Sequence, residues 1–178
     1  MPEMRLARTI LSVDEIDTMV NRVADELNEV LVDVERPVFV GVMKGAYMWM
    51  ADLMRAMKRD IELDYIDVSS YVGDKSTGHI TIQRDLKVDL SGRTVVILDE
   101  VVDSGLTLRY LKADFEARGA KKVYVAVATD KRQSESAGGI TPDFIGAHVP
   151  DEFLVGYGMD YNEYYRGLPY VAVLELND

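Results

Sequence analysis

The chain has no cysteine among its 178 residues. Disulfide bridges, thiolate nucleophiles and thiolate metal sites are therefore excluded, which suits a reducing compartment. Histidine is nearly as scarce: His79 and His148 are the only two. They lie far apart without the spacing of a metal pair, and neither is assigned a role. Positive charge is in deficit, with 20 Lys and Arg against 31 Asp and Glu and a formal charge of -11. Nonspecific nucleic-acid binding rests on neutralising phosphates with cations, so this balance argues against it and in favour of solubility. No stretch approaches the ~20 apolar residues of a membrane span, and Met1 to Arg8 lacks the apolar segment of a secretory leader. A cytoplasmic protein with no membrane and no nucleic-acid partner is expected. Neither an internal repeat nor an interdomain linker is visible. With 48% hydrophobic residues, the chain is expected to form one domain with its own core.

What is present reads as alternating strands and helices. Ser12-Val13-Asp14-Glu15 has the form of a capping box. Ile16, Val20, Val23, Leu27 and Leu31 follow at helical spacing. Val38 to Val42 reads as a buried strand and Ala46 to Met57 as a helix, in which Trp49 and the methionines are expected to pack into the core. Ile61 to Tyr71 reads as a strand, 72–78 as a polar loop, and Ile80 and Ile82 as part of a half-exposed strand. After the turn at Ser91-Gly92 come a strand ending near Asp99, a helix from Leu106 to Arg118, and a strand from Lys122 to Thr129. A Ser- and Gly-rich loop spans Gln133 to Gly139. Short strands are expected at Phe144 to Ala147, Phe153 to Tyr157 and Tyr170 to Leu174. Apolar runs near Val40, Val96 and Val125 suit strands buried on both faces, so an α/β fold with a mostly parallel central sheet flanked by helices is expected. In such folds ligands sit at the carboxyl ends of strands.

One such end carries the chemistry. Val95-Val96-Ile97-Leu98 runs into Asp99-Glu100, then Val101-Val102-Asp103-Ser104-Gly105-Leu106-Thr107 opens the next helix. Ionised carboxylates accept hydrogen bonds and have none to donate, so an adjacent pair suits the two donors of a vicinal diol or a magnesium ion. Free amides at a helix start, two hydroxyls and a glycine suit a phosphate. The combination points to a sugar phosphate. A plain surface turn, with Asp103 or Ser104 capping the helix, explains the same residues without a ligand.

The motif resembles the phosphoribosyl-diphosphate (PRPP) signature of the type I phosphoribosyltransferases. Other segments agree with the hypoxanthine-guanine branch of that family in order and spacing, over roughly Val38 to Leu174. Gly41-Val42-Met43-Lys44-Gly45-Ala46-Tyr47 is similar to its diphosphate loop. Val68-Ser69-Ser70-Tyr71, followed by Lys75-Ser76-Thr77-Gly78, is similar to its mobile lid, placed at about 70–85. Asp130-Lys131-Arg132 and the segment from Pro150 to Tyr161 resemble its purine-binding parts, and Arg166-Gly167-Leu168-Pro169-Tyr170 closes the pattern.

The resemblance implies a single transferase domain over 1–178, with a small hood subdomain made from the N-terminal and C-terminal segments. It implies transfer of the phosphoribosyl group from PRPP to a 6-oxopurine, namely hypoxanthine and also guanine, giving IMP or GMP and diphosphate with Mg²⁺ as cofactor. Asp99 and Glu100 would bind the ribose hydroxyls and help place the metal, although the commoner family order is Glu then Asp. Asp103 would be the acid/base group beside purine N7. Asp103, Ser104, Gly105, Leu106 and Thr107 would surround the 5′-phosphate. Lys44 and Gly45 would meet diphosphate through their backbone, with a non-proline cis peptide at that turn, and Arg166 would add a cationic contact. Lys131 would donate to purine O6, which favours a 6-oxo over a 6-amino group. Phe153 would stack on the base, Leu154 and Asp160 would lie at its edge, and Asp160 would also serve a second metal. Ser70 and Tyr71 would belong to the lid. A homodimer or homotetramer is expected by the same analogy.

Two other classes compete with the enzyme. A nucleotide-sensing regulator on the same fold would bind RNA or DNA. A phospho-receiver domain would also carry acids at strand ends, but not the hydroxyl loop or the Phe153 to Asp160 segment.

Overall fold

The computed structural model describes residues 3–71, 79–132 and 139–177. Strand β1 (Glu3–Leu11) leads into helix α1 (Val13–Val30). The Ser12 hydroxyl accepts from the Glu15 amide at 3.2 Å, while the Glu15 carboxylate accepts from the Ser12 amide at 2.8 Å. The capping box is therefore closed in both directions, and it satisfies two of the amides that a helix start leaves open. Ile16, Met19, Val20, Val23, Ala24 and Leu27 form the buried stripe, as the 3.6-residue period requires.

The central sheet uses β2 (Val38–Met43), β3 (Glu62–Tyr71), β4 (His79–Arg84), β5 (Thr94–Val102), β6 (Lys122–Asp130) and β7 (Phe144–His148). Their order is β4-β3-β2-β5-β6-β7. All neighbours are parallel except β4, which closes one edge antiparallel to β3. Helix α2 (Tyr47–Ala56) connects β2 to β3, and α3 (Leu106–Ala117) connects β5 to β6. The chain thus leaves β2 toward one edge and β5 toward the other. This reversal between adjacent strands opens a crevice at their carboxyl ends.

Both faces of the sheet are covered, so β2, β5 and β6 are apolar almost throughout. On one face Val96, Leu98 and Ala126 pack with α1, Trp49 and Leu53. On the other, Val95, Ile97 and Val125 pack with Leu108, Leu111 and Phe115 of α3. Trp49 is fully buried, and its indole N–H donates to the Ala126 carbonyl at 3.1 Å. The methionines of α2 divide, because Met54 is exposed while Met50 packs against the core.

A second, three-stranded sheet has the order β1-β9-β8, formed with β8 (Leu154–Val155) and β9 (Val171–Asn177). Sequence patterning missed β1. Register shifts between Leu6 and Arg8 and between Thr9 and Leu11 interrupt the two-residue alternation that marks a strand. The strand expected over Phe153 to Tyr157 shrinks to Leu154–Val155, since Gly156 (φ 96°) and Tyr157 (φ 49°) turn the chain out of extended geometry. Among the described residues, no helix is long and apolar enough to cross a membrane.

Candidate active site

The crevice holds a cleft of about 500 Å³ lined by Lys44, Gly45, Val68, Asp99, Glu100, Asp103, Ser104, Gly105, Thr107, Asp160 and Arg166, among others. A smaller lobe of about 180 Å³ adjoins it, lined by Glu100, Val101, Asp103, Lys131, Phe153, Leu154, Met159 and Asp160. Four residues are common to both, and Asp103 is one of them.

Asp99 and Glu100 stand at the end of β5. Among the described residues no cation pairs with either carboxylate. Burial, and next the adjacent Glu100, push the Asp99 carboxyl well above the usual carboxylate range. Glu100 lies against the β2 turn so closely that a Cβ on Gly45 would overlap its carboxylate. A Cβ on Gly158 would likewise overlap the Gly45 carbonyl. Two glycines therefore let three chain segments converge at one point. The non-proline cis peptide joins Met43 to Lys44, one residue before the expected turn bond.

The loop after Asp103 is only partly a capped turn. The N-cap of α3 is Gly105, at φ 76°, which makes no side-chain cap bond. Asp103 and Ser104 are exposed, while the Ser104 hydroxyl accepts from the Leu106 amide at 3.3 Å. Leu106 does not line the cleft, but Ser104, Gly105 and Thr107 do. Helix-start amides aimed into a cleft favour an anion.

In the smaller lobe the Lys131 ammonium donates to the Glu152 carbonyl at 3.2 Å and lies 3.6 Å from the Asp151 carboxylate. Phe153 is half exposed and meets the Tyr161 ring edge-on at 5.8 Å, whereas Leu154 is buried. A half-exposed aromatic ring beside a partly buried donor suits a flat heterocycle. Arg166 donates to the Gly158 carbonyl at 2.8 Å and pairs with Asp160 at 3.2 Å.

Residues 11–162 match the model of the phosphoribosyl transferase domain family. The chain is 40% identical over 171 residues to a hypoxanthine-guanine phosphoribosyltransferase of Bacillus subtilis, covering 96% of this chain and 94% of that protein. The chain belongs to the phosphoribosyltransferase family. A hypoxanthine-guanine phosphoribosyltransferase of Streptococcus pyogenes is 34% identical, with coverage of 98% and 97%. The crystal structure of such an enzyme from Bacillus anthracis superposes with a TM-score of 0.88 at 30% identity, over 97% of this chain and all of that one. The transferase reading agrees with these relatives, and the regulator and phospho-receiver readings find no support in them.

The transferase thus brings together every expected site residue outside the lid except Leu106, whose side chain is exposed away from the cleft lining. Ser70 and Tyr71 end β3, and residues 72–78 of the expected lid lie outside the described residues, while 79–84 form β4. Three participants were missed. Val101 lines the smaller lobe, and its place two residues before Asp103, near the carboxyl end of β5, was the available signal. Met159 lines it too, though nothing in its sequence neighbourhood distinguishes it from a core methionine. Glu163 pairs with both Lys44 and Arg166.

The oxygen donors suit magnesium. Among the described residues no cluster of three or more metal-ligating side chains exists, and magnesium in phosphate-transfer sites usually takes one or two carboxylates plus substrate oxygens and water. Asp99 and Glu100, adjacent and without a cation among the described residues, match that requirement. Asp160 is already engaged by Arg166 and by the Glu163 amide at 2.8 Å.

Proposed function

We propose that this transferase moves the 5-phosphoribosyl group of PRPP to N9 of hypoxanthine or guanine, releasing diphosphate and forming IMP or GMP. One observation carries the reading. Asp103 lines both lobes of the cleft, between a phosphate-type loop on one side and the Lys131 and Phe153 lobe on the other. A group at that boundary can touch the base while the sugar is held beside it.

The 5′-phosphate occupies the Ser104, Gly105 and Thr107 loop, held by helix-start amides and hydroxyls. Asp99 and Glu100 accept from the ribose 2′- and 3′-hydroxyls, and their negative charge steadies the positive charge that builds on the ring. Lys44, the Gly45 turn and Arg166 hold diphosphate. The bond from C1′ to the diphosphate oxygen breaks, and the electron pair leaves with diphosphate. The N9 lone pair forms the new bond, and Asp103 takes the purine proton at N7. Lys131 donates to O6, and Phe153 covers the base. Magnesium, held by Asp99 or Glu100 and the substrate oxygens, would supply charge neutralisation for the departing diphosphate.

The β1-β9-β8 sheet is the hood, and Ser70, Tyr71 and the segment after them are the lid that excludes water. Cytoplasmic location and assembly into a homodimer or homotetramer complete the reading. The assay offers PRPP and Mg²⁺ with hypoxanthine, guanine, xanthine or adenine in turn. Turnover with the 6-oxopurines and little with adenine is expected; no turnover with any base would sink the proposal.

A further inference from the structure

In the turn from Asp160 to Arg166, Asp160 pairs with Arg166 alone at 3.2 Å, whereas Glu163 reaches both Arg166 and Lys44 in the larger lobe. Glu163 Oε2 lies 3.1 Å from Lys44 Nζ, and Glu163 Oε1 lies 3.3 Å from Arg166 Nη2. Lys44 and Arg166 both line the cleft. The backbone that places Glu163 is unusual, with Asn162 (φ 49°), Glu163 (φ 68°) and Tyr165 (φ 75°) all left-handed. L-residues seldom adopt this region, and they hold it only where the surroundings fix it. Here the Tyr161 and Tyr164 main chains bond reciprocally at 3.1 and 2.9 Å, and the Glu163 amide donates to Asp160 at 2.8 Å. The turn is tied down while the Glu163 side chain is not, since that side chain is 61% exposed and can rotate into solvent.

We propose that Glu163 is an internal stand-in for diphosphate. Its two oxygens neutralise Lys44 and Arg166 before substrate arrives, and the diphosphate group displaces it. The same carboxylate then competes with product diphosphate and speeds its departure. This rests on the reading that the Lys44-Gly45 turn and Arg166 meet diphosphate, and it adds the Lys44 ammonium to that contact. Each exposed pair is worth up to about fivefold in an equilibrium constant. Removing both is expected to tighten diphosphate binding by roughly three- to tenfold.

The test is calorimetric titration of the whole protein with inorganic diphosphate and Mg²⁺ at constant ionic strength. It compares the unaltered protein, Glu163→Gln, Lys44→Met and the double variant. Tighter binding by Glu163→Gln, with a smaller gain in the Lys44→Met background, is expected. Unchanged or weaker binding by Glu163→Gln, while Lys44→Met alone binds less well, overturns the proposal and leaves the site reading intact. A gain of equal size in both backgrounds marks long-range charge and also overturns it. Unimpaired binding by Lys44→Met shows that the Lys44 ammonium does not meet diphosphate and overturns the proposal, leaving the backbone contact at that turn untouched.

Discussion

Lys131 is tied to Glu152: its ammonium donates to the Glu152 carbonyl at 3.2 Å, joining the end of β6 to the loop that carries Phe153. One side chain therefore bears on both the proposed base donor and the proposed base cover. Lys131→Met keeps the apolar stem and removes the donor. The ratio of kcat/KM for hypoxanthine over adenine is expected to fall about 10- to 100-fold, the range set by one buried polar group left without its partner. An unchanged ratio would reject the role of Lys131 at O6.

Asp103 is exposed and caps no helix, so its loss need not disturb folding. Asp103→Asn is expected to lower kcat on the order of 100-fold or more, the usual contribution of a positioned acid/base group. The melting temperature should stay within a degree or two. Steady-state kinetics beside a thermal melt checks both, and a normal kcat in the folded variant refutes the assignment.

Gly105 and Gly92 form a controlled pair. Both have positive φ, 76° and 71°, but a Cβ at Gly92 meets no described atom within 4 Å, whereas one at Gly105 would lie 2.9 Å from the Ile140 amide nitrogen. Gly92→Ala is expected to cost about 1–2 kcal/mol of stability from the left-handed backbone alone, with KM for PRPP unchanged. Gly105→Ala must also push the phosphate loop off Ile140, so it should cost more and raise KM for PRPP. Equal effects from the two variants would show that the loop is not fitted to a phosphate.

Asp64 contributes to the acid side of stability. Burial alone would raise its pKa, but the Val88, Tyr65 and Lys87 amides and the Arg84 guanidinium outweigh it and hold the carboxyl below the usual range. A carboxyl that is more acidic folded than unfolded stabilises the fold above its unfolded pKa of ~3.9, and that contribution drains away as pH falls through the folded value. Asp64→Asn is expected to cost about 2–3 kcal/mol at pH 7, with the gap from the unaltered protein narrowing below about pH 4. Urea melts at pH 7, 5 and 3.5 measure this, and a gap independent of pH refutes it.

The parts legible in the sequence were those governed by local rules. Ser12 and Glu15 announced α1 because a capping box is contained in four residues. The run Val95 to Leu98 announced a doubly covered strand because both its faces are apolar. The site was legible wherever a whole motif lay on one turn, as from Asp99 to Thr107. What escaped depended on contacts across the fold. Strand β1 was hidden by its bulges against β9. Glu163 gained meaning only when its left-handed turn brought it to Lys44, 119 positions away in the chain. Val101 reads as another core valine until the smaller lobe is seen beside it.

Trp49 is the sole tryptophan of the chain. It follows the Lys44-Gly45 turn by less than two helical turns, yet it is sealed in the core and hydrogen-bonded to β6. Its emission should therefore be blue-shifted and respond to loosening of α2 against the sheet. The protein carries its own optical reporter four residues beyond Gly45, buried in the core and needing no label.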